Sequence, residues 1–370
     1  MWKIFQEEIR KIASRKIIWW GLALVLIFVT FRLGIVKKEY TSAIDGQTYV
    51  GKEAIQKDQE LAREYAGPMT EETVRSIYER FGFYYYNEQG EKCGRNFWNE
   101  YITDHMTNFM QIEGDDPAEI QFYEGEEWER NVAPLLNGDL RFDYNYGWED
   151  LRETLILVNI LLSIIFIVGM APVFSEEYTL RTANILLTTR RGKKSAVWLK
   201  TAAALTFTAA AYYAVSLYLW LLYRYMFGTQ GLDASPRFLN AIPAFGYTPK
   251  TVQGFFWLEF GLGAAAMILL SALVLVVSAA FRSAFMSVVI SAGVFISPYI
   301  WMKVISPMLP LGSGFTRTVN HLMVSMPFYL HGNWGFAFSA GQIRLHIVIA
   351  AVVTAVCVVL GYRKYRNYQG

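Results

Sequence analysis

The chain has 370 residues, 54% of them hydrophobic and 16% aromatic, with a net charge of +2. That near-neutral total gives no support to a nucleic-acid partner, and it hides a split. Residues 39–150 hold 25 Asp and Glu against 9 Lys and Arg, a net of −16, and the remainder is net +18. The two cysteines, Cys93 in the acidic stretch and Cys357 in an apolar one, exclude an intrachain disulfide framework.

Residues 1–16 place Trp2, Phe5, Ile9 and Ile12 at helical spacing with charges between them, which predicts an amphipathic helix in a membrane interface. A first apolar span covers roughly Ile17–Val36. It is long for a signal peptide, and Arg32, Lys37 and Lys38 stand where a cleavage site would be, so it is expected to remain as an anchor. Residues 37–150 contain no run able to cross a hydrocarbon core about 30 Å thick. Helix signals do occur there. Lys52–Tyr65 is amphipathic, Thr70 precedes Glu71 and Glu72, and Asn96–Gln111 has helical spacing, whereas Tyr84–Tyr86 and Phe142–Tyr146 read as loops or short strands. A small, acidic, mainly helical extracytoplasmic domain is expected.

Five further spans follow at about Leu155–Val173, Ala196–Leu222, Phe255–Ala280, Ala284–Met302 and Ile343–Leu360, with Trp148 as an interfacial anchor before the first of them. The expected fold is therefore an all-α polytopic membrane protein with six transmembrane helices and an N-terminal amphipathic elbow. With the N-terminus in the cytoplasm, the inner segments carry 15 Lys and Arg, against 6 in the two later outer loops. That bias predicts cytoplasmic N- and C-termini.

Catalytic patterns are sparse. Arg191-Gly192-Lys193-Lys194-Ser195 lacks the spacing and the first glycine of a nucleotide-binding loop, so no ATP hydrolysis is expected of this chain. His105, His321, His331 and His346 form no metal-ligand pattern, and no nucleophile elbow occurs. Neither a catalytic site nor a metal site is expected.

The most informative segment is 174–195. Ser175 is placed to cap a helix whose first turn holds Glu176 and Glu177, whose last turn holds Arg190 and Arg191, and which Gly192 would close. One helix over 175–191 is predicted, mixing Tyr178, Ile185, Leu186 and Leu187 with charges. Such a cytoplasmic helix suits a groove on a partner; the alternative is an ordinary interfacial helix.

This segment resembles the intracellular coupling segment of type-2 ABC transporter permeases. Those carry an acidic residue soon after the second span, a Thr-Leu-Leu-rich helix, a basic turn and a Lys opening the third span. Glu176 or Glu177, Thr182, Leu186, Leu187, Arg191 and Lys200 stand at the matching places. Arg181-Thr182-Ala183 stands where Gly-Thr is frequent in that family, and Thr188-Thr189 where Ser/Thr-Pro is frequent. The elbow, six spans and large outer insert resemble bacterial exporters of the same family over nearly the whole chain. The resemblance implies a dimeric permease coupled to separate cytosolic ATPase subunits. Contact with the ATPase would come from Glu176, Glu177, Tyr178, Arg181, Thr182, Leu186, Leu187, Arg190 and Arg191. No cofactor would be held by this chain, because ATP and magnesium belong to the partner.

Inside the spans, Glu259 is a candidate pathway residue, although near a span end it can also reach the interface. Asn159 suits interhelical hydrogen bonding and Gly263 close packing. A membrane sensor or scaffold whose acidic domain binds an external ligand is the second reading. An ion-coupled transporter is the third, without the paired broken helices that class shows.

Overall fold

The computed structural model of the protein describes residues 1–87, 89–96, 98–112, 117–136, 140–189, 195–239, 248–310, 313–332 and 339–367. The N-terminal amphipathic pattern forms α1 (Trp2–Ala13), followed by α2 (Lys16–Glu39). On α2 the buried positions Ile18, Leu22, Val25, Val29 and Leu33 recur every three or four residues, so one stripe packs inward. The opposite face leaves Ile27, Phe31 and Ile35 exposed.

The insert begins with a hairpin of β1 (Thr41–Ile44) and β2 (Gln47–Val50). Its turn is Asp45-Gly46 with φ of 50° and 78°, the left-handed pair that a two-residue hairpin requires. Next come α3 (Gly51–Glu64), β3 (Gly67–Pro68) and α4 (Glu71–Phe81). Thr70 caps α4, its hydroxyl accepting from the Thr73 amide at 3.2 Å. A second hairpin, β4 (Tyr85–Tyr86) with β5 (Lys92–Cys93), precedes α5 (Glu100–Met106). Helix α5 is shorter than the Asn96–Gln111 pattern predicts, because Thr107 turns extended and bridges Phe122. Then α6 (Gly125–Asn131), α7 (Ala133–Leu136) and β6 (Arg141–Phe142) return the chain to the membrane domain, with β6 paired to β3.

The insert has a core of its own, in which Leu61, Val74, Ile77, Trp98, Ile102 and Phe142 pack together. Phe238, from the segment after the third span, joins that core. The Arg141 amide donates to the Ser235 hydroxyl at 2.8 Å, and the Ser235 amide returns a bond to Arg141 O at 2.8 Å. The loop between the third and fourth spans is therefore built into the insert.

The remaining chain forms α8 (Tyr146–Met170), α9 (Pro172–Thr179), α10 (Thr182–Thr188), α11 (Val197–Phe227), α12 (Val252–Ala280) and α13 (Ala284–Ile300). Short helices α14 (Gly314–Val324) and α15 (Pro327–Leu330) precede α16 (Ala340–Arg366). A capping box at Ser339 and Gln342 starts α16. Among the described residues six helices are long and apolar enough to cross a membrane: α2, α8 with α9, α11, α12, α13 with its continuation to Met308, and α16. The protein is an all-α polytopic membrane protein.

Helix α12 is the centre of the bundle, packed on α8, α11 and α16. Helices α2 and α8 approach closely at two glycines. A Cβ on Gly21 would lie 2.8 Å from Ile165, and one on Gly169 would lie 2.7 Å from Ile18. Near the insert, the Arg32 guanidinium spans both carboxylate oxygens of Asp150 at 2.7 Å and also donates to Thr154 at 2.6 Å. This bidentate pair neutralises the cation that the first span carries towards its insert end.

Candidate functional site

The segment following α8 is two helices, not the single helix over 175–191 that the capping pattern predicts. Helix α9 follows α8 across Ala171 with Pro172 at its first position, where the missing amide costs nothing within the new helix. Ser175 is consequently in mid-helix and buried, its hydroxyl donating to Ala171 O at 2.8 Å. The junction is closed by Ser278 of α12. Its hydroxyl accepts from the amides of Phe174 at 2.9 Å and Ser175 at 3.1 Å and donates to Ala171 O. One donor and two lone pairs are all used. The helix then breaks at Arg181, whose φ of 57° and ψ of 10° are left-handed, and α10 starts at Thr182 in a new direction.

Four elements meet over α9. Buried Glu177 accepts from Lys200 Nζ of α11 through one carboxylate oxygen and from the Tyr365 hydroxyl of α16 through the other. Lys200 also lies 3.5 Å from Glu8 of α1, which in turn holds Lys11 at 2.9 Å. The Lys200 ammonium stands 5.6 Å from the Phe174 ring, and Tyr365 packs on Phe174 and Tyr178 with ring centroids 4.8 and 5.7 Å away. Glu176, one residue earlier, is half exposed and pairs with Arg15 at 3.0 Å. Arg15 also donates to Gly169 O at the end of α8. The Tyr178 hydroxyl donates to Ala279 O at 2.8 Å, and Thr179 to Arg282 O at 3.1 Å, so the tight link between α12 and α13 is tied to α9 as well.

The predicted contact residues divide. Glu177, Tyr178 and Leu187 point into the bundle, with Leu187 only 6% exposed. Glu176, Arg181 and Thr182 are at the surface, and Leu186 is half-buried. The apolar side chains that α9 and α10 expose are Leu180 at 63% and Ile185 at 70%. Arg190 and Arg191 lie outside the described residues.

The inner candidates gather at the α8–α11–α12 seam. Gly263 faces Tyr212: a Cβ there would sit 1.8 Å from the tyrosine oxygen, so only glycine admits that ring. Asn159 is buried and donates to His331 O at 3.0 Å, holding the turn after α15 against α8. Glu259 is 1% exposed, buried on α12 one turn before Gly263. Among the described residues no group of His, Cys, Asp or Glu is arranged to hold a metal ion.

Sequence reasoning missed Glu8, Arg15, Ser278 and Tyr365. A signal existed for Arg15, a cation at the mouth of an apolar span; for Ser278 and Tyr365, distant in sequence from α9, there was none.

A family model described as "ABC-2 family transporter protein" matches residues 2–368. No curated protein and no solved structure matches the chain.

Proposed function

Because the chain belongs to the ABC-2 family of transporter proteins, whose membrane subunits are permeases, we propose that it is the membrane-spanning subunit of an ATP-driven exporter. Family subunits of this kind are generally not enzymes themselves. In this reading two permease chains form the pathway, and separate cytosolic ATPase subunits hold ATP and magnesium. Both termini lie in the cytoplasm of a bacterial cell, and the acidic insert lies outside it.

The observation that carries the coupling role is the α9–α10 segment. It continues the second span, exposes Leu180 and Ile185 at its outward face, and is bound at its base to α1, α11 and α16 through Glu177, Lys200 and Tyr365. An ATPase groove gripping Leu180 and Ile185 would pull on α9. The buried ion pair would pass that displacement to the third and sixth spans, and Ser278 and Tyr178 would pass it to α12. Displacement of packed helices against each other is the general form of such transitions. Arg181 in its left-handed conformation sets the angle at which α10 meets the partner.

The test is co-purification of the tagged chain in mild detergent, with ATPase activity measured on the eluate. The expected result is a cassette ATPase that accompanies the wild type and is lost from a Leu180→Asp/Ile185→Asp double variant with unchanged elution and helical content. A well-folded wild type that brings down no ATPase under these conditions overturns the reading.

A further inference from the structure

We propose that the groove between α2 and α11 binds one anionic phospholipid, with an acyl chain along α2 and the phosphate on Lys38. The groove has a volume of about 770 Å³ and opens on the face of α2 that carries exposed Ile27, Phe31 and Ile35. Its polar floor is closed on itself: the Thr30 and Tyr218 hydroxyls are 2.6 Å apart, and Thr30 also donates to Leu26 O at 2.7 Å. No unmet polar group there asks for a hydrophilic occupant. From Leu26 to Lys38 the groove follows α2 for about 18 Å, close to the depth of one leaflet of a core about 30 Å thick. Gly34 leaves part of the floor open, since a Cβ placed on it would meet nothing within 4 Å.

The headgroup end is set by charge. Lys38 is exposed at the mouth of the groove, in the last turn of α2. The stretch it enters carries 25 acids against 9 bases, yet among the described residues Lys38 forms no ion pair. Arg32, two turns earlier on α2, is taken by Asp150 at 2.7 Å. Lys38 is thus a free cation at the end of an apolar slot, and the complement of that arrangement is an alkyl chain bearing a phosphate.

Native mass spectrometry of the purified full chain, titrated with dioleoyl phosphatidylglycerol or dioleoyl phosphatidylcholine, tests this. The wild type is expected to retain one phosphatidylglycerol per chain in preference to phosphatidylcholine. Lys38→Gln should weaken phosphatidylglycerol binding about fivefold, the worth of one lysine near an anionic surface, and leave phosphatidylcholine unchanged. Gly34→Leu, which fills the open floor, and Phe31→Ala, which removes a wall without adding bulk, should weaken both lipids. Lys37→Gln, outside the groove, should change neither. Equal losses from Lys37→Gln and Lys38→Gln would reduce the effect to diffuse charge and overturn the site, as would full binding in both groove variants. A disulfide-linked dimer of Phe31→Cys chains in native membranes would place a second copy in the groove instead of a lipid.

Discussion

Lys200→Met is expected to be more damaging than Glu177→Gln, although the two residues form one pair. Both side chains are buried, and Lys200 faces two carboxylates, Glu177 and Glu8. Removing the ammonium leaves two buried acids offset, among the described residues, by Lys11, which is itself exposed and bound to Glu8, and by Arg15, which is already paired with Glu176. Breaking a buried pair by removing one partner costs about 3–5 kcal/mol, and here the residual repulsion adds to the lost attraction. Removing the Glu177 charge leaves Lys200 with Glu8 at 3.5 Å and leaves Tyr365 an amide oxygen to donate to. That loss is closer to a single charge-assisted hydrogen bond, about 1.5–3 kcal/mol. At about 2 °C per kcal/mol for a large chain, Lys200→Met should lower the unfolding midpoint by about 6–10 °C and Glu177→Gln by about 3–6 °C. Thermal unfolding of the full chain in one detergent, followed by tryptophan fluorescence, makes the comparison. A Glu177→Leu/Lys200→Met pair, isosteric and apolar, should recover most of the loss if Glu8 is also changed to Gln. Equal small shifts for both single variants, or a larger shift for Glu177→Gln, would refute the claim that Lys200 holds two acids.

Three further outcomes are expected. Ser278→Ala strands the amides of Phe174 and Ser175, should cost about 1–3 kcal/mol, and should speed hydrogen exchange at residues 173–176 without affecting the insert. Arg32→Met should leave Asp150 buried beside Tyr223 without its cation and lower the unfolding midpoint, with Arg32→Lys restoring only part, because lysine cannot span both oxygens. His105 packs on Tyr101 with centroids 4.5 Å apart, and burial holds its pKa below the usual value. A depressed histidine contributes stability that is present above about pH 6.5 and is lost as pH falls through its lowered pKa. Acidification should therefore weaken the insert first, and His105→Phe should flatten that part of the profile in hydrogen-exchange measurements.

The membrane spans were legible because long apolar runs separated by charge admit one reading in a bilayer, and each of the six observed helices overlaps its predicted run. The segment after the second span misled for a specific reason. Ser175-Glu176-Glu177 has the composition of a helix start, but Pro172 three residues earlier already occupies the first position of α9, so the acids fall in mid-helix. The left-handed break at Arg181 has no compositional mark, since glycine is the residue that usually signals it. Leu187 looked like a docking residue because helical periodicity shows two apolar neighbours without telling which one faces the bundle. Phe238 and Ser235 were invisible as parts of the insert, because their partners, Tyr101, Phe142 and Arg141, lie about a hundred or more positions earlier and only the folded loop brings them together.

The contacts of Arg15 and Arg32 have a mechanical consequence. Arg15 fastens the start of α2 to Gly169 and Glu176, and Arg32 fastens its other half to Asp150, so the same two helices are bolted together at points about 25 Å apart. Two bolts remove the freedom to pivot that one would leave, and Gly21 and Gly169 take up the clearance between them. The pair behaves as a plank. A tilt of about 5° imposed at the Arg15 end shifts the Arg32 end by about 2 Å. The hairpin and α3, which rise directly from that end, ride with it as cargo on a beam.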